Sequence, residues 1–578
     1  MNKRLTRTTL GLLMGMALCL QACTEQEAAA PVPEPAPRYD GVILNGTVYD
    51  GSGAPGVQAD VAIDDGRIVA LGDFDSDNTK DGGFTIDASG KAVAPGFINM
   101  LSWALDSLIH DGRSQGDIRQ GVTLEVFGEG ESWGPWNDTM KAEEKARQSD
   151  ITYDIEWTSL GEFLEYLEQR GVSTNVASFV GATTVRVHEV GYEDRAPTAE
   201  ELERMQALVR QGMEEGALGV GSSLIYAPAY YASTEELIAL TSVAAEYGGM
   251  YISHMRSEGN RLLEAIDELI TIARESGAPA EIYHFKQSGE SNWSKFDEAV
   301  AKIEQARAEG LRISADMYTY TAGSTGLDAA MPPWVQEGGY ADWRERLQNP
   351  EVRAKLQEEM LDREADWSNL MLAAGPEGTL LVGFRNPELR KYTGRTLSEV
   401  AEERGTNPQQ TAMDLVIEDG SRVQVVYFLM SEENVKRGIA LPWMSFGSDA
   451  YSMAPEGVFL NSSTHPRAYG NFARLLGRYV RDEQVIPLAE AIRKMTSLPA
   501  AHLGLRERGS LVPGYHADVV VFDPDTINDV ATYDDPHRYA VGVSDVIVNG
   551  VQVLQDGEHT GATPGQVVRG PGWTGWQD

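Results

Sequence analysis

The sequence predicts an α/β fold: a parallel (β/α)8 barrel of TIM type with a small β-sandwich domain formed from both chain ends. Three observations lead there. Short strands and tight turns crowd both ends of the chain, the long centre alternates strand-like with helix-like segments, and about eight such pairs fit between the two β-rich ends.

The chain starts with a processing signal. Met1, Asn2, Lys3 and Arg4, with Arg7, are followed by an apolar stretch from Leu10 to Leu20. A cationic start and a short apolar run are the pattern of a secretory signal peptide, here residues 1–22, too short to span a bilayer stably. The run closes in Leu20-Gln21-Ala22-Cys23, which resembles a bacterial lipobox with Cys23 as the lipidated residue. An ordinary signal peptide that contains a cysteine is the alternative. Cys19, the other of the two cysteines, lies inside the signal, so the remaining chain has neither a disulfide framework nor a cysteine metal ligand. Residues 23–38, rich in Ala, Pro and Glu, read as a tether. The expected location is exported: a periplasmic or outer-membrane lipoprotein of a bacterium, touching membrane only through Cys23.

Residues 39–94 form the first part of the β-domain. In "ADVAIDDGRIVALGDF" two alternating runs flank Asp65-Gly66, a strong hairpin signal. Residues 501–578 repeat this texture, with turns at Asn549-Gly550 and Asp556-Gly557.

Residues 95–500 supply the barrel. Its strand candidates are "VAPGFINM", "GVTLEVFGE", "NVASFVG", "ALGVGSSLIY", "GMYISHM", "AEIYHF", "RISADMYTY" and "SFGSDA", with helical stretches such as "TAEELERMQALVRQGMEEG" between them. Residues 331–435 interrupt the pattern with Pro, Trp and several helices, the texture of a cap. The run "QVVYFLM" inside them leaves the strand count open by one. A formal charge of −39 excludes nucleic acid as a partner and keeps the surface soluble.

Active-site residues of such barrels sit at the C-terminal ends of the strands. Of nine histidines, His254 and His284 lie at those ends of successive strands, whereas His110 and His188 read as loop residues and His465 follows the last strand. Neutral imidazole is a favoured zinc ligand. Asp449 ends the last strand, where a carboxylate can take a proton from the attacking water and return it to a leaving nitrogen; a helix N-cap is the alternative. Glu129 ends the second strand, and two His with one carboxylate make a catalytic zinc set with one open position. Glu131 competes for that place.

These residues sit in a wider pattern. "ILNGTVYDGSG", "VAPGFIN", "SHMRSEG", "YHFKQSG", "FGSDA", "THPRAYGNFARLLGRYV" and "PAAHLGLRERGSLVPGYHADVVVFDP" together resemble the amidohydrolase superfamily, and within it the N-acyl-D-amino-acid deacylases, over about residues 39–560. The resemblance implies a metal-dependent hydrolase barrel. It implies His254 and His284 as ligands of the tighter metal site, Asp449 as catalytic base, and Lys286 and Arg467 as binders of the substrate carboxylate. Tyr318 or Tyr320 is implied at the same pocket. The sequence departs from the pattern twice. Leu101 and Trp103 stand where the family has His-x-His, and Gly130 aligns with a ligating Cys, with Glu129 and Glu131 beside it. One zinc ion is therefore expected, and one ion remains chemically sufficient for amide hydrolysis.

The function expected is hydrolysis of a linear carbon–nitrogen, non-peptide bond in a small N-acylated substrate. A cyclic amidase or dipeptidase of the same superfamily, and a lipid-anchored binding protein that has lost catalysis, are the other readings; oligomeric state stays open. If Cys23 carries the anchor, Cys23→Ala releases the protein into the soluble fraction, because stable anchoring needs two or more acyl chains. Continued sedimentation of the variant with membranes would rule the anchor out.

Overall fold

The structure, a computed structural model, describes residues 37–576. The signal peptide and Cys23 lie outside the described residues. Strands β1 (Tyr39–Val48), β2 (Val57–Asp64), β3 (Arg67–Gly72), β4 (Thr79–Asp87) and β5 (Ala92–Pro95) come first. The centre carries β6 (Phe97–Asn99), β7 (Val122–Phe127), β8 (Asn175–Ser178), β9 (Val180–Gly181), β10 (Gly219–Ser223), β11 (Met250–His254), β12 (Ala280–Ile282) and β13 (Ile313–Met317). After these come β14 (Ala322–Gly326), β15 (Thr379–Gly383), β16 (Gln424–Phe428) and β17 (Met444–Phe446). The chain ends with β18 (Val519–Phe522), β19 (Val543–Val548), β20 (Val551–Gln555) and β21 (Glu558–His559).

The two chain ends share one nine-stranded sheet, in which β18 pairs antiparallel with β5. The sheet curls: Ala517, just before β18, donates its N–H to Gly66 O at the β2–β3 turn (2.9 Å), and Ile68 N–H reaches Tyr515 O (2.9 Å). Curling encloses an apolar cluster that includes Ile43, Val61, Ile63, Val93, Val519 and Ile547. The Asp-Gly and Asn-Gly turns supply the positive φ that such tight hairpins need, at Asp65, Gly66, Asn549 and Gly550.

The barrel has eight strands. β9, β10, β11, β12, β13 and β17 run parallel, as do β6, β7 and β8. β8 and β9 are one strand broken only at Phe179, whose N–H donates to Phe127 O (2.9 Å). Met100 N–H donates to Phe446 O (3.1 Å) and so joins β6 to β17, which closes the ring. Side chains alternate along each strand. On β11, Tyr251 packs among the outer helices, while Met250 and Ile252 belong to the inner cluster with Ile98, Leu124 and Val126. His254 shares their parity and points inward.

The outer helices follow from their sequences. Ala199–Glu214 starts at a Thr198/Glu201 capping box and buries Met205, Val209, Gly212 and Met213, a single stripe at helical spacing. Each of the larger side chains contributes about 1.5–3 kcal/mol by leaving water. Leu262–Ser276 ends on Gly277 in the left-handed conformation.

Between β13 and β17 lies the insert. Its sheet, β14-β16-β15, is antiparallel and starts at Ala322, upstream of residue 331. Its own core includes Leu327, Trp343, Leu356, Leu397, Val425 and Tyr427. The "QVVYFLM" run is β16, a strand of this layer and not of the barrel. His110 and His188 sit in short helices, Leu105–His110 and Ala182–Glu189, rather than in loops, because the chain turns helical directly after leaving β6 and β9. No helix among the described residues is long and apolar enough to cross a membrane.

Candidate active site

Barrel closure brings Glu129, His254 and His284 together, with one potential ligand atom from each lying within 4.8 Å of the others. Glu129 Oε1 is 3.0 Å from His254 Nδ1 and 2.8 Å from His284 Nε2. All three residues are buried. Burial works against the Glu129 carboxylate, but the two imidazoles outweigh it and hold its pKa well below the usual range. His284 shows the reverse balance. Burial and the Lys286 ammonium oppose its charged form, while Glu258 and Glu129 raise it to about 10.

Glu129 reaches this position through its neighbours. Gly130 has φ +74°, and a Cβ there would lie 2.4 Å from Ser223 Cβ, so position 130 excludes any side chain. The ligand role therefore cannot fall on residue 130, and Glu129 takes the place beside the two histidines. Glu131 is not part of the cluster. Leu101 is buried, and its carbonyl accepts Asp449 N–H (2.8 Å). Trp103 donates its indole N–H to Glu129 Oε2 (3.0 Å). Where the family pattern has two further ligands, this chain has an apolar side chain and a hydrogen-bond donor.

Two functional residues adopt a left-handed backbone: His284 at φ +37° and Asp449 at φ +50°. Such conformations cost about 1–3 kcal/mol each and persist only where surroundings enforce them. Asp316 Oδ1 accepts His284 N–H (2.8 Å), and Asn99 Oδ1 accepts Ser448 N–H (2.8 Å) next to Asp449.

A cationic pocket adjoins the cluster. Arg467 Nη2 pairs with Asp449 Oδ2 as an ion pair (2.9 Å), and its guanidinium lies 4.4 Å from the centre of the Tyr318 ring. Lys286 Nζ is 5.6 Å from the same ring. Arg467 Nε and Nη1 and the Tyr318 hydroxyl are buried with no hydrogen-bond partner among the described residues. Burial raises the Tyr318 pKa well above 10 despite Arg467, so it stays a phenol and a donor. Tyr320 faces elsewhere: its hydroxyl donates to Asp529 Oδ2 (3.1 Å). Asp449 has its pKa raised, chiefly by burial and also by Glu129, against the opposing Arg467, His284 and Lys286.

Four residues escaped the sequence reading. Glu258, in "SHMRSEG" four positions after His254, has its Oε1 2.5 Å from Lys286 Nζ and 2.9 Å from His284 Nδ1. His465 accepts Arg467 N–H on Nδ1 (3.0 Å) and donates from Nε2 to Ala322 O (2.9 Å), which orients the arginine. Tyr226 stands edge-on to His254 (5.4 Å between rings) and donates to Thr325 Oγ1 of the insert (2.8 Å). Trp103 was read only as a lost ligand. The place of Glu258 in the same motif as His254, four residues on, was a signal available for it.

Two imidazoles and a carboxylate within reach of one point suit zinc, which takes such sets and leaves a position open. The donors present therefore fit the group, and an anion-binding pocket stands next to them.

The chain belongs to the amidohydrolase family, whose model matches residues 155–554. It is 34% identical over 534 residues to a D-aminoacylase of Alcaligenes xylosoxydans xylosoxydans, which covers 92% of this chain and 97% of the relative. Among solved structures it is similar to an N-acyl-D-glutamate deacylase from Bordetella bronchiseptica complexed with zinc and a phosphonate mimic of the tetrahedral intermediate. That match has TM-score 0.75 and 30% identity over 92% of this chain and 100% of that one. It is equally similar, at 33% identity, TM-score 0.75 and the same coverage, to a D-aminoacylase whose binuclear centre shows one-metal activation and second-metal attenuation.

Glu129, and not Glu131, belongs to the cluster that could hold a metal. After dialysis, Glu129→Ala is expected to lose at least about tenfold in zinc affinity, as ligand-shell changes do, while Glu131→Ala keeps its metal. Elemental analysis of the two variants checks this, and the opposite pattern would transfer the role to Glu131.

Proposed function

We propose that the protein removes the acyl group from small N-acyl-D-amino acids, using one zinc ion at Glu129, His254 and His284. One observation carries the reading: a zinc-type donor set lies next to a pocket of Lys286, Arg467 and Tyr318, with Asp449 touching that pocket through Arg467. The full-length similarity to a D-aminoacylase supports a linear amide over a cyclic one and the D configuration over the L. The intact ligand set supports catalysis over mere binding. The single-ion reading is supported by Leu101 and by Trp103, whose indole N–H already engages the second oxygen of Glu129. The "LQAC" sequence supports an exported, lipid-anchored location.

When bound, zinc would lower the pKa of water and polarise the amide carbonyl. The chain's own groups do the rest. Arg467, Lys286 and the Tyr318 phenol hold the substrate carboxylate, a task suited to charged and neutral donors in a buried site. Asp449 takes the proton of the attacking water at its carboxylate and passes it to the leaving nitrogen. Its raised pKa brings it nearer to working pH, where such exchange is most effective. Tyr226, tied to the insert, packs edge-on against His254 and helps hold its ring.

Elemental analysis combined with a panel of N-acetyl-D-amino acids, their L enantiomers and a hydantoin tests the whole reading. One zinc per chain and preference for the D series are expected; two tightly held ions, hydantoin preference or no turnover would each overturn a stated part. Arg467→Ala should lose about 2–4 kcal/mol in kcat/KM, the cost of leaving a buried charge without its partner. A substrate amide lacking the carboxylate should react equally slowly with both proteins. Asp449→Asn should lower kcat by at least ~10²-fold and leave the metal in place. KM should change little, because the proton transfer is exercised mainly in the transition state. Unchanged kcat would assign the proton to another group.

A further inference from the structure

Three polar atoms meet behind the ligand cluster, on the side away from Glu129. Lys286 Nζ is 2.5 Å from Glu258 Oε1 and 2.7 Å from His284 Nδ1, and that nitrogen is 2.9 Å from the same Glu258 oxygen. The three residues are buried, and Ser288 Oγ donates to the other oxygen of Glu258 (3.3 Å). This triangle cannot be satisfied in one way only. A neutral imidazole has one N–H and one lone pair. If His284 Nε2 gives its lone pair to a metal, its proton resides on Nδ1, and Lys286 can no longer donate there. Nδ1–H then needs an acceptor, and Glu258 Oε1 is the one in reach. Metal-bound histidines regularly hold such a carboxylate partner, which fixes ring orientation and tautomer.

Lys286 is also one of the two cations of the proposed carboxylate pocket. Whatever turns its ammonium away from His284 leaves a donor for substrate, and whatever draws the ammonium toward substrate leaves Glu258 to His284. We propose that Glu258 is a positioning residue that couples the metal site to the carboxylate pocket, so that filling either one strengthens the other. Coupling of this kind is reciprocal by thermodynamic necessity. The inference rests on the zinc and carboxylate sites proposed above, but its test needs no turnover.

The test measures zinc affinity of the detergent-solubilised full chain by competition with a chromophoric chelator, with and without saturating 4-methylpentanoate. This probe carries the carboxylate and no amide. In the wild type it should tighten zinc binding by about fivefold or more, the low end of measured couplings. Glu258→Gln, which keeps the size of the side chain, should weaken zinc binding by about 10- to 100-fold and abolish the response to the probe. Lys286→Met, which leaves Glu258 to His284 permanently, should tighten zinc binding about fivefold or more, as the probe does in the wild type, and show no further response to the probe. It provides the test if the Glu258 variant does not fold. A wild type that ignores the probe, or a response that survives in either variant, overturns the coupling. Direct binding of the probe to zinc would show itself as a surviving response. Failure of the deacylase reading is distinguishable, because it would appear only in the substrate panel.

Discussion

Glu129 Oε1 stands within 3.0 Å of one ring nitrogen from each of two histidines, in the closed interior of the barrel. The contact spans the barrel, since Glu129 follows β7 while the histidines come from β11 and the segment after β12. A buried carboxylate without such partners costs several kcal/mol. The sequence meets that demand only if the ring of strands closes between β6 and β17 and only if residue 130 has no side chain. Closure in turn depends on the hydrogen bond from Met100 to Phe446 and on the continuation of β8 into β9. The site therefore reports on the whole barrel, and a fault in closure would leave an unpaired charge in its core.

The strained backbone lies where this constraint is strongest. His284 and Asp449 both take left-handed conformations, and each is held by a buried neighbour strand, Asp316 on β13 in one case and Asn99 on β6 in the other. Asp316 accepts the N–H of His284 itself, whereas Asn99 accepts that of Ser448, one residue before Asp449, whose own N–H goes to Leu101 O; hydrogen bonds to the main chain thus help set the direction of both side chains. His465 works in the same manner on Arg467, whose N–H it accepts.

Much of the fold was legible because period-2 alternation and helix-cap signals are local. All eight barrel strands, the pairing of the chain ends and the two histidines at strand ends could be read from residue types alone. The choices left open share a physical cause. Alternation would turn Glu129 to the face of Glu125, which bonds Ser102, Ser114 and Thr174 opposite Leu124 and Val126. Gly128 at φ +108° resets that parity, and no side-chain pattern announces it. Tyr318 and Tyr320 have the same parity. They part because Asn471, far along the chain, grips Thr319 between them, accepting its N–H at 2.8 Å. Glu258 and Trp103 act through contacts that exist only once distant segments have met, so spacing could not reveal them.

Charge explains why these separate features form one device. The surface is strongly acidic, yet the substrate proposed for the pocket is an anion. Within the site three carboxylates, Glu129, Glu258 and Asp449, face Lys286 and Arg467. Glu129 and Glu258 hold His284 in its charged form, so without a metal the set is balanced. A divalent ion bound to a neutral His284 would leave the set one positive charge in excess, which a substrate carboxylate would neutralise. In a buried site of low effective dielectric such balances decide occupancy more strongly than they would at the surface. The proposed ion would thus make the pocket more receptive to an anion than it is without it. That dependence needs no moving lid: it follows from the number of buried charges and from Glu258 standing between the two sites.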